Sequence, residues 1–355
     1  MRIDAVEVIH RHLPLTRPYT ISRETISDVE LAFVRIHAGG LTGSGCASPA
    51  PGVTGETPQA TRAAMETAAD VLRSRDAGEI GNLARLLERE LPAAPAARAA
   101  CDMALWDLLG QQLGIPVVDV LGRVHDALPT SVTIGIQAPD AALELAREYL
   151  AHGFHALKVK LGHDVEADIE RLRQLRGLAG RGITLRTDPN AGYDEPMLRR
   201  YLEGTRCLDI EFCEQPVPRE ADAVLAGFAA GERARFAADE SLLDLADAAR
   251  LLRGESRRYG IFNIKLMKCG GITPAARIGH LAEGAGIALM WGCNDESRVA
   301  IAAALHVALA SPATRYLDLD GSFDLASDLA EGGFELDRGV LRPAPGAGLG
   351  LRWVG

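Results

Sequence analysis

The chain has 355 residues, of which 47% are hydrophobic and 24% charged, a balance typical of a globular protein with a large core. Its formal charge of −10 argues against nucleic acids and anionic membranes as partners. Six cysteines without a CxxC pair favour reduced thiols, and no apolar run reaches the roughly 18 residues of a membrane span. Since no signal-peptide core is apparent either, we expect a cytoplasmic protein.

The first 125 residues predict an α+β domain. Alternating apolar positions and helical spacing indicate three strands and two helices, at 3–9, 29–36, 41–46, about 56–73 and about 96–113. A polar loop is expected around 17–19, and Gly39-Gly40 suggests a hairpin turn between the second and third strands. Gly114 should end the second helix.

From about residue 129 short apolar strands alternate with amphipathic helices. Eight strands are predicted, at 130–136, 155–161, 183–188, 210–214, 236–239, 260–265, 287–292 and 315–318. Helices are predicted at 141–151, 165–175, 245–253, 274–285 and 298–310. The alternation favours a closed parallel TIM-type barrel over an open doubly wound sheet, because no glycine-rich dinucleotide loop follows an early strand. The expected domains are 1–125, a barrel over 126–322, and a segment 323–355 that packs back on the first domain.

Three successive barrel strands are predicted to end in acids, Asp188, Glu214 and Asp239. Active sites of parallel barrels lie at the carboxyl ends of the strands, so these carboxylates would meet at one mouth. They would repel one another unless a cation joined them, and Mg²⁺ prefers such oxygen ligands. Helix capping is the alternative role, which Asp188-Pro189-Asn190 could serve. Three acids in succession favour the metal site.

Lysines form the second part of the pattern. Lys158 and Lys160 share one face of a strand whose other face is apolar. Taken by themselves, these two lysines could simply be exposed to solvent. However, Lys160 and Lys265 end strands on opposite sides of the predicted barrel, which favours a shared site. Such a pair could exchange protons with two faces of one carbon, because burial and a nearby cation would lower a lysine's pKa towards neutrality. The metal would then hold a carboxylate and stabilise the enediolate formed when its α-proton leaves. Lys268, in the next turn, is expected to be structural.

Five short motifs follow one another along the chain, Leu157-Lys158-Val159-Lys160, Thr187-Asp188-Pro189-Asn190, Cys213-Glu214-Gln215-Pro216, Ala238-Asp239-Glu240-Ser241, and Asn263-Ile264-Lys265 with Gly270-Gly271. Together they resemble the muconate-lactonizing subgroup of the enolase superfamily, over nearly the whole chain. The resemblance implies an α+β capping domain over a modified (β/α)7β barrel. It also implies Mg²⁺ on the three acids, an acid/base pair formed by Lys160 and Lys265, and Lys158 as a supporting cation.

A further motif, Tyr316-Leu317-Asp318-Leu319-Asp320-Gly321, resembles the DxD signature of dipeptide epimerases. Acids two residues apart on a strand project together and can bind an ammonium group, although Asp320-Gly321 could also form a simple turn. The resemblance implies that a dipeptide's terminal carboxylate binds Mg²⁺, that its amino terminus binds both acids, and that the C-terminal residue's α-carbon lies between the lysines. The residues expected to line the substrate at the barrel mouth are Thr133, Cys293, Asp295 and Glu296.

One loop position departs from the pattern of Ala-Glu epimerases, which carry there an arginine that pairs with the substrate's glutamate. Glu24 takes that position, with Arg23 beside it, and Asp295 replaces an apolar residue usual at the barrel mouth. A charge pair at about 4 Å and an effective dielectric near 20 is worth roughly 4 kcal/mol before desolvation. The exchange would therefore favour cationic side chains, whereas a one-residue shift of the loop would restore Arg23 and L-Ala-D/L-Glu specificity.

Two rival functions stay open at this point. A lyase or cycloisomerase of the same subgroup, such as o-succinylbenzoate synthase or muconate cycloisomerase, would use the same lysines and metal, but its substrate has no ammonium for Asp318 and Asp320 to bind. A catalytically inactive barrel that only binds a ligand would be expected to have lost a lysine or a metal ligand. We therefore predict a Mg²⁺-dependent dipeptide epimerase, acting on a small-molecule dipeptide and forming a homo-oligomer.

Overall fold

The N-terminal part is an antiparallel sheet covered by helices. The computed structural model describes residues 1–20, 25–253 and 257–355. Its first elements are β1 (Ile3–Thr20), β2 (Thr25–Ala38), β3 (Leu41–Ala47), α1 (Pro51–Thr54), α2 (Pro58–Leu72), α3 (Ile80–Glu90), α4 (Pro95–Leu113) and α5 (Val117–Leu121). The strands pair in the order β1-β2-β3, so the expected α+β character is confirmed. Helix α3 was not predicted, although its buried Ile80, Leu83 and Leu87 recur at helical spacing.

Strand β1 is longer than the sequence suggested. The polar stretch 17–19 was expected to be a loop, but this was wrong, because β1 continues through it and Tyr19 pairs with Ile26. Backbone hydrogen bonds hold the stretch extended, and polar composition does not report on those. Thr16 N also donates to the carbonyl oxygen of Asp324 at 2.7 Å, which ties the end of β1 to the loop after the last barrel strand.

Helix α4 fits closely against β3 because two glycines carry no side chain there. A β-carbon at Gly43 would overlap the carbonyl oxygen of Ala104, and one at Gly45 would overlap that of Ala100. The helix is almost entirely buried. Gly114 ends it in the left-handed conformation, at φ 71°, as the sequence predicted.

The remainder of the chain up to Asp318 alternates strands and helices. The elements are β4 (Leu128–Pro129), β5 (Val132–Ile134), α6 (Pro139–Ala151), β6 (Ala156–Lys160), α7 (Val165–Ala179), β7 (Thr184–Asp188), α8 (Glu195–Thr205), β8 (Ile210–Glu214), a 3₁₀ turn (Arg219–Gly227), α9 (Ala230–Arg233), β9 (Phe236–Ala238), α10 (Leu245–Leu251), β10 (Ile261–Ile264), α11 (Leu266–Cys269), α12 (Ile272–Ala285), β11 (Ala288–Gly292), α13 (Arg298–Leu309) and β12 (Thr314–Asp318). The bounds of helix α8 were not predicted, although its N-cap Asp194 accepts from Met197 N and is a recognisable start signal.

Strands β5 to β12 form one eight-stranded sheet in chain order, and every pair is parallel. A bridge between Thr130 and Leu317 brings the first and last strands together. The predicted barrel is therefore confirmed, and each strand lies within two residues of its expected bounds. Strands buried on both faces are short continuous apolar runs, which makes them easy to locate in a sequence.

The tail contains β13 (Ala330–Gly332), β14 (Phe334–Asp337), β15 (Val340–Pro343) and β16 (Leu351–Trp353). Trp353 packs edge-on against Phe33 of the N-terminal sheet, at 5.7 Å between ring centroids. Leu349 N donates to Asp107 of α4 at 2.8 Å, and β15 pairs with β4 beside the barrel. The tail thus contacts both parts, while the exact domain boundaries stay a prediction. No helix of the described ranges is long and apolar enough to cross a membrane.

Candidate active site

Three carboxylates lie at one end of three adjacent barrel strands. Asp188 ends β7, Glu214 ends β8 and Asp239 follows β9, and none is more than 1% exposed. Because neighbouring parallel strands share their carboxyl ends, the order of the acids in sequence becomes an order in space. Asp188 also accepts a hydrogen bond from Asn190 N at 2.9 Å, as a capping role would require. Buried carboxylates this close together need compensating positive charge.

Lys158 lies among these acids rather than in solvent. Its ammonium nitrogen is 2.7 Å from Glu214, 2.7 Å from Asp318 and 3.1 Å from Asp188. Lys160 Nζ, from the same strand face, donates to Asp188 Oδ2 at 2.7 Å. Burial raises the pKa of Asp188, but the charges of Lys160 and Lys158 outweigh it and hold the pKa below its ordinary value. The alternative of two solvated lysines is therefore excluded for Lys158, which is 3% exposed.

Lys265 lies on the far side of the same mouth. It follows β10, which is separated from β6 by three strands of the sheet, and its Nζ is 3.0 Å from Asp239. Burial lowers the pKa of Lys265, but the charges of Asp239 and Glu214 raise it more strongly, so the pKa lies above the ordinary lysine value. Neutralising those carboxylates would leave burial dominant and would lower the pKa, as a general base requires.

Two further side chains, Lys268 and Asn263, hold Asp239 and Glu214 in place by hydrogen bonds. Lys268 Nζ donates to the carboxylate and backbone carbonyl of Asp239 and, at 3.0 Å, to Asn263 O, in line with the structural role expected for it. Asn263 Nδ2 donates to Glu214 Oε1 at 2.6 Å. The sequence analysis did not assign Asn263 a role. Its position two residues before Lys265 on the same strand face was the signal that could have found it.

The chemistry of this donor set fits a divalent cation. Burial and the charge of Asp188 raise the pKa of Glu214 to about 8, although Lys158 opposes the shift. Buried carboxylates shifted in this direction gain from added positive charge, and oxygen ligands suit Mg²⁺. Within 1–20, 25–253 and 257–355, no three His, Cys, Asp or Glu side chains form a preassembled metal cluster. The Lys158 ammonium lies between Asp188 and Glu214 instead.

Asp318 and Asp320 both lie at the mouth but have different surroundings. Asp318 is held by Lys158 and by Ser131 Oγ, which donates to Asp318 Oδ1 at 2.6 Å. Asp320 Oδ2 accepts from Thr133 N at 2.7 Å. Burial and the charge of Asp318 raise the pKa of Asp320 to about 7, so a bound cation would stabilise its ionised form. The backbone of Asp320 also forms the turn considered from sequence, since its carbonyl accepts from Phe323 N at 2.8 Å.

A buried arginine in the barrel interior is linked to Asp318 by hydrogen bonds through Ser131. The Arg186 guanidinium lies 5.3 Å from the ring centroid of Phe212 and 5.2 Å from that of Tyr316. Its Nη1 donates to Ser131 Oγ at 3.0 Å. Since Ser131 accepts from Arg186, its own hydroxyl hydrogen is directed to Asp318. This relay could not be predicted from the sequence, because Ser131, Arg186 and Asp318 belong to segments that are distant in the chain.

Two cavities meet at the lysine pair. Residues that line both are Tyr19, Lys160, Lys265, Cys293, Asn294 and Asp295. The first cavity extends from there towards Asp318, Asp320, Tyr149 and Asp324. The second extends under the N-terminal sheet, past Asp28, Glu30 and residues 48–53. Both open around the same barrel mouth, so a ligand with two arms could occupy both while one of its atoms lies between the lysines.

Comparison with known proteins assigns this arrangement to a family. Residues 4–122 match the mandelate racemase / muconate lactonizing enzyme N-terminal domain, and residues 141–354 match the enolase C-terminal domain-like family. The chain belongs to the mandelate racemase / muconate lactonizing enzyme family. The resemblance to the enolase superfamily drawn from the motifs is thereby confirmed.

Within this family, the chain is similar to dipeptide epimerases over its full length. The L-Lys-D/L-Arg epimerase of Methylococcus capsulatus is 55% identical over 354 residues, covering 99% of both chains. The protein of the same name from Desulforapulum autotrophicum is 48% identical over 356 residues, covering 100% of both. The crystal structure of the dipeptide epimerase from Methylococcus capsulatus, complexed with Mg and the dipeptide L-Arg-D-Lys, superimposes with a TM-score of 0.97. It is 53% identical and covers 99% of this chain and 100% of that one.

Not all the residues predicted to line the substrate lie in the cavity walls. Thr133 lines the first cavity, and Cys293 and Asp295 line both. Glu296 was expected there too, but it is 2% exposed, its Oε1 accepts from Asn294 N at 2.8 Å, and it is absent from the described walls of both cavities. Glu296 thus bonds back to its own turn, and its role at the substrate stays a prediction.

Asp295 connects the barrel to the N-terminal sheet. Tyr19 Oη donates to Asp295 Oδ2 at 2.7 Å, which the sequence analysis did not foresee because it had placed Tyr19 in a loop. Burial raises the pKa of Asp295 to about 6, although the hydrogen bond from Tyr19 opposes the shift. Arg23 and Glu24, the two candidates for the specificity position of the loop, lie outside the described residues, and their assignment stays a prediction.

Proposed function

We propose that this protein epimerises dipeptides at the α-carbon of the C-terminal residue, with Mg²⁺ as cofactor and a preference for cationic side chains. The observation that carries the proposal is the pair Lys160 and Lys265, which line the same cavities from strands separated by three others in the barrel. Removing a proton on one face and returning one on the other inverts a carbon. The relatives named L-Lys-D/L-Arg epimerase, and the one complexed with Mg and a dipeptide, support the substrate class and the metal.

Each lysine has one task in this scheme. One of Lys160 and Lys265 is neutral and takes the α-proton with its Nζ, while the other is protonated and delivers a proton to the opposite face. The roles exchange when the reaction runs in the other direction, which explains why both stereoisomers would be substrates. Lys158 stays protonated, because three carboxylates surround its ammonium group. Lys268 holds Asp239 in place through its bonds to that residue and to the carbonyl oxygen of Asn263.

The metal would be held by Asp188, Glu214 and Asp239. When bound, Mg²⁺ supplies positive charge that binds the substrate carboxylate and offsets the negative charge left by proton removal. The three acids fix the place of that charge, because each is buried and held by a lysine or an asparagine. Asp318, at the end of β12, and Asp320 just after it would face the free amino terminus of the dipeptide.

The side-chain preference rests on Asp295, which lines both cavities beside Lys160 and Lys265. We infer that its carboxylate faces a cationic side chain of the C-terminal residue. A library of dipeptides incubated in D₂O, with α-proton exchange followed by NMR, tests the whole proposal. Exchange restricted to the C-terminal residue, fastest for Lys or Arg there, is expected. A tenfold preference for Ala-Glu, about 1.4 kcal/mol of discrimination, would instead place Arg23 at the substrate and contradict the cationic assignment.

Blocking the amino terminus is expected to reduce kcat/KM for an otherwise good dipeptide by at least about a hundredfold, since two carboxylates would then face no cation. The comparison uses Ala-Lys and its N-acetyl derivative. Methylating the α-amino group of Ala-Lys instead keeps its positive charge and serves as the matched control for added bulk. Equal turnover of the acetylated and free dipeptides would favour a lyase or another superfamily reaction.

The preference for a cationic C-terminal residue should weaken as the pH falls through about 6. Asp295 gains a proton there and loses the charge that attracts the side chain. The charged groups around it include Lys160, Lys265 and Asp324, and Tyr19 donates to it. The ratio of kcat/KM for Ala-Lys to that for Ala-Leu cancels titrations that affect both substrates. A ratio that does not change between about pH 8 and pH 5 would remove Asp295 from the specificity site.

Location and assembly complete the proposal. The six cysteines, all of them in described ranges, are free thiols, which supports a reducing compartment such as the cytoplasm. We also propose a homo-oligomer, and sedimentation at enzymatic concentrations measures it directly.

A further inference from the structure

The two cavities differ in the acids that line them. Among the described residues, Asp318 and Asp320 line the first cavity and are absent from the walls of the second, whereas Lys160 and Lys265 line both. As proposed above, the dipeptide's amino terminus binds Asp318 and Asp320, and the α-carbon of its C-terminal residue lies between Lys160 and Lys265. The peptide then runs from the first cavity to the junction with the second. The amino-terminal side chain then lies in the first cavity. The carboxyl-terminal side chain lies at the junction or in the second.

Asp324 is an acid of the first cavity that the catalytic scheme does not use. Its backbone carbonyl accepts from Thr16 N at 2.7 Å, and its Oδ1 lies 3.5 Å from Thr16 Oγ1. Next to it, Ala326 N donates to Pro14 O at 3.0 Å. The N-terminal strand therefore fixes the position of this carboxylate in the wall, which is what a selective subsite requires.

An arginine in the same wall is kept from neutralising Asp324. Arg17 Nη2 bonds to Glu148 Oε1 of α6 at 2.8 Å, and no ion pair to Asp324 exists among the described side chains. Burial raises the pKa of Asp324, whereas the more distant charge of Arg17 lowers it. A cation from the substrate could thus pair with Asp324 without displacing a protein partner.

An aromatic ring completes the environment. Tyr149 lies in the first cavity, one residue after Glu148, and packs edge-on against Phe154 with 5.9 Å between centroids. Asp324 lines the same cavity, and its charge contributes to the raised pKa of the Tyr149 hydroxyl. A carboxylate beside an aromatic ring is the arrangement that binds ammonium and guanidinium groups by charge and by cation–π attraction.

We propose that Asp324 and Tyr149 form the subsite for the side chain of the dipeptide's amino-terminal residue and select Lys or Arg there, and that the Arg17–Glu148 ion pair keeps this subsite anionic. The inference rests on the proposed epimerase function. It goes further in giving each of the two side chains its own acid, Asp324 for the first residue and Asp295 for the second.

The test compares two isomeric substrates, Lys-Ala and Ala-Lys, by α-proton exchange at the C-terminal residue in D₂O. Asp324→Asn should lower the ratio of kcat/KM for Lys-Ala to that for Ala-Lys by about tenfold, mainly through KM. Asp295→Asn should move the same ratio in the opposite direction. Substituting a residue that has only a structural role would change kcat/KM for both substrates by the same factor and leave the ratio unchanged.

Glu148→Gln provides an independent variant on the surface. Freed from Glu148, Arg17 can turn to Asp324, so the ratio should fall by about threefold although no substrate contact is removed. Glu144→Gln is the matched control, since it is an exposed acid one turn earlier on α6 and lines neither cavity among the described residues. It should leave the ratio within about twofold of the native value.

Outcomes separate the two proposals. If the native protein exchanges the α-proton of no dipeptide, the epimerase function itself is wrong and the subsite falls with it. If the native protein is active but Asp324→Asn lowers kcat/KM equally for both substrates, or more for Ala-Lys, the assignment of Asp324 to the amino-terminal side chain is overturned. A fall in the ratio with both Asp324→Asn and Glu148→Gln, but not with Glu144→Gln, supports it.

Discussion

Replacing Lys160 or Lys265 by alanine is expected to abolish epimerisation in both directions, with kcat reduced by about 10⁴-fold or more. In the proposed scheme each lysine serves one face of the α-carbon, because the two lysines project from different sides of the barrel. Each variant should still exchange the α-proton of one stereoisomer with D₂O, because the surviving lysine can remove and return a proton on its own face. The two variants should differ in which stereoisomer they exchange.

NMR of L-Lys-L-Arg and L-Lys-D-Arg in D₂O measures exchange and inversion separately. Thermal unfolding identifies loss of folding, and Lys160→Arg and Lys265→Arg keep the charge but provide no base near neutral pH. Normal inversion by either alanine variant would refute the two-base scheme. Exchange of the same stereoisomer by both variants would show that the lysines do not face opposite sides.

Removing divalent cations is expected to abolish turnover, and adding Mg²⁺ should restore it. The charges of Asp239 and Glu214 outweigh the effect of burial and raise the pKa of Lys265, so this lysine would stay protonated unless their charge is offset. Metal charge also compensates the substrate carboxylate next to the carbon that loses its proton. The expected loss on chelation is therefore larger than about 10³-fold, comparable with losing a catalytic group.

Asp239→Asn and Asp188→Asn are expected to raise the Mg²⁺ concentration needed for half activity, because each removes one of the proposed anionic ligands. Asp126→Asn, at an exposed acid outside both described cavity walls, is the matched control. Calorimetric titration with Mg²⁺ alone measures binding without turnover. Full activity after exhaustive chelation would contradict the metal assignment, whatever the variants do.

The lysine content of the chain illustrates what a sequence can reveal about such a site. The chain has four lysines, Lys158, Lys160, Lys265 and Lys268, and all its other Lys or Arg positions are arginines. The structure brings all four to the barrel mouth, and three of them are among its buried residues. Arginine replaces lysine readily on a surface, but it cannot lose its proton near neutrality and does not fit where a compact ammonium is needed. Lysine content alone was therefore a signal for the site.

The sequence by itself determined the barrel, its strands and the places where the acids and lysines end them. Those follow from local rules, because a short apolar run predicts a buried strand and a parallel barrel brings the strand ends together. Motif order then identified the superfamily without reference to side-chain contacts. The same local rules failed for 17–19, a polar stretch that belongs to β1 and whose Tyr19 pairs with Ile26 of β2.

Tertiary structure alone decided which charged groups pair with one another. Lys158 could have been solvated, and Asp318 could have been unpartnered at the mouth. Instead Lys158 joins three acids from three other strands, and Arg186 reaches Asp318 through Ser131. Asp324 acquires its place from Thr16, more than 300 positions earlier in the chain. Such pairs depend on side-chain reach and burial between segments distant in sequence, and the free energy of a buried charge is set by those neighbours rather than by the residues beside it in the chain.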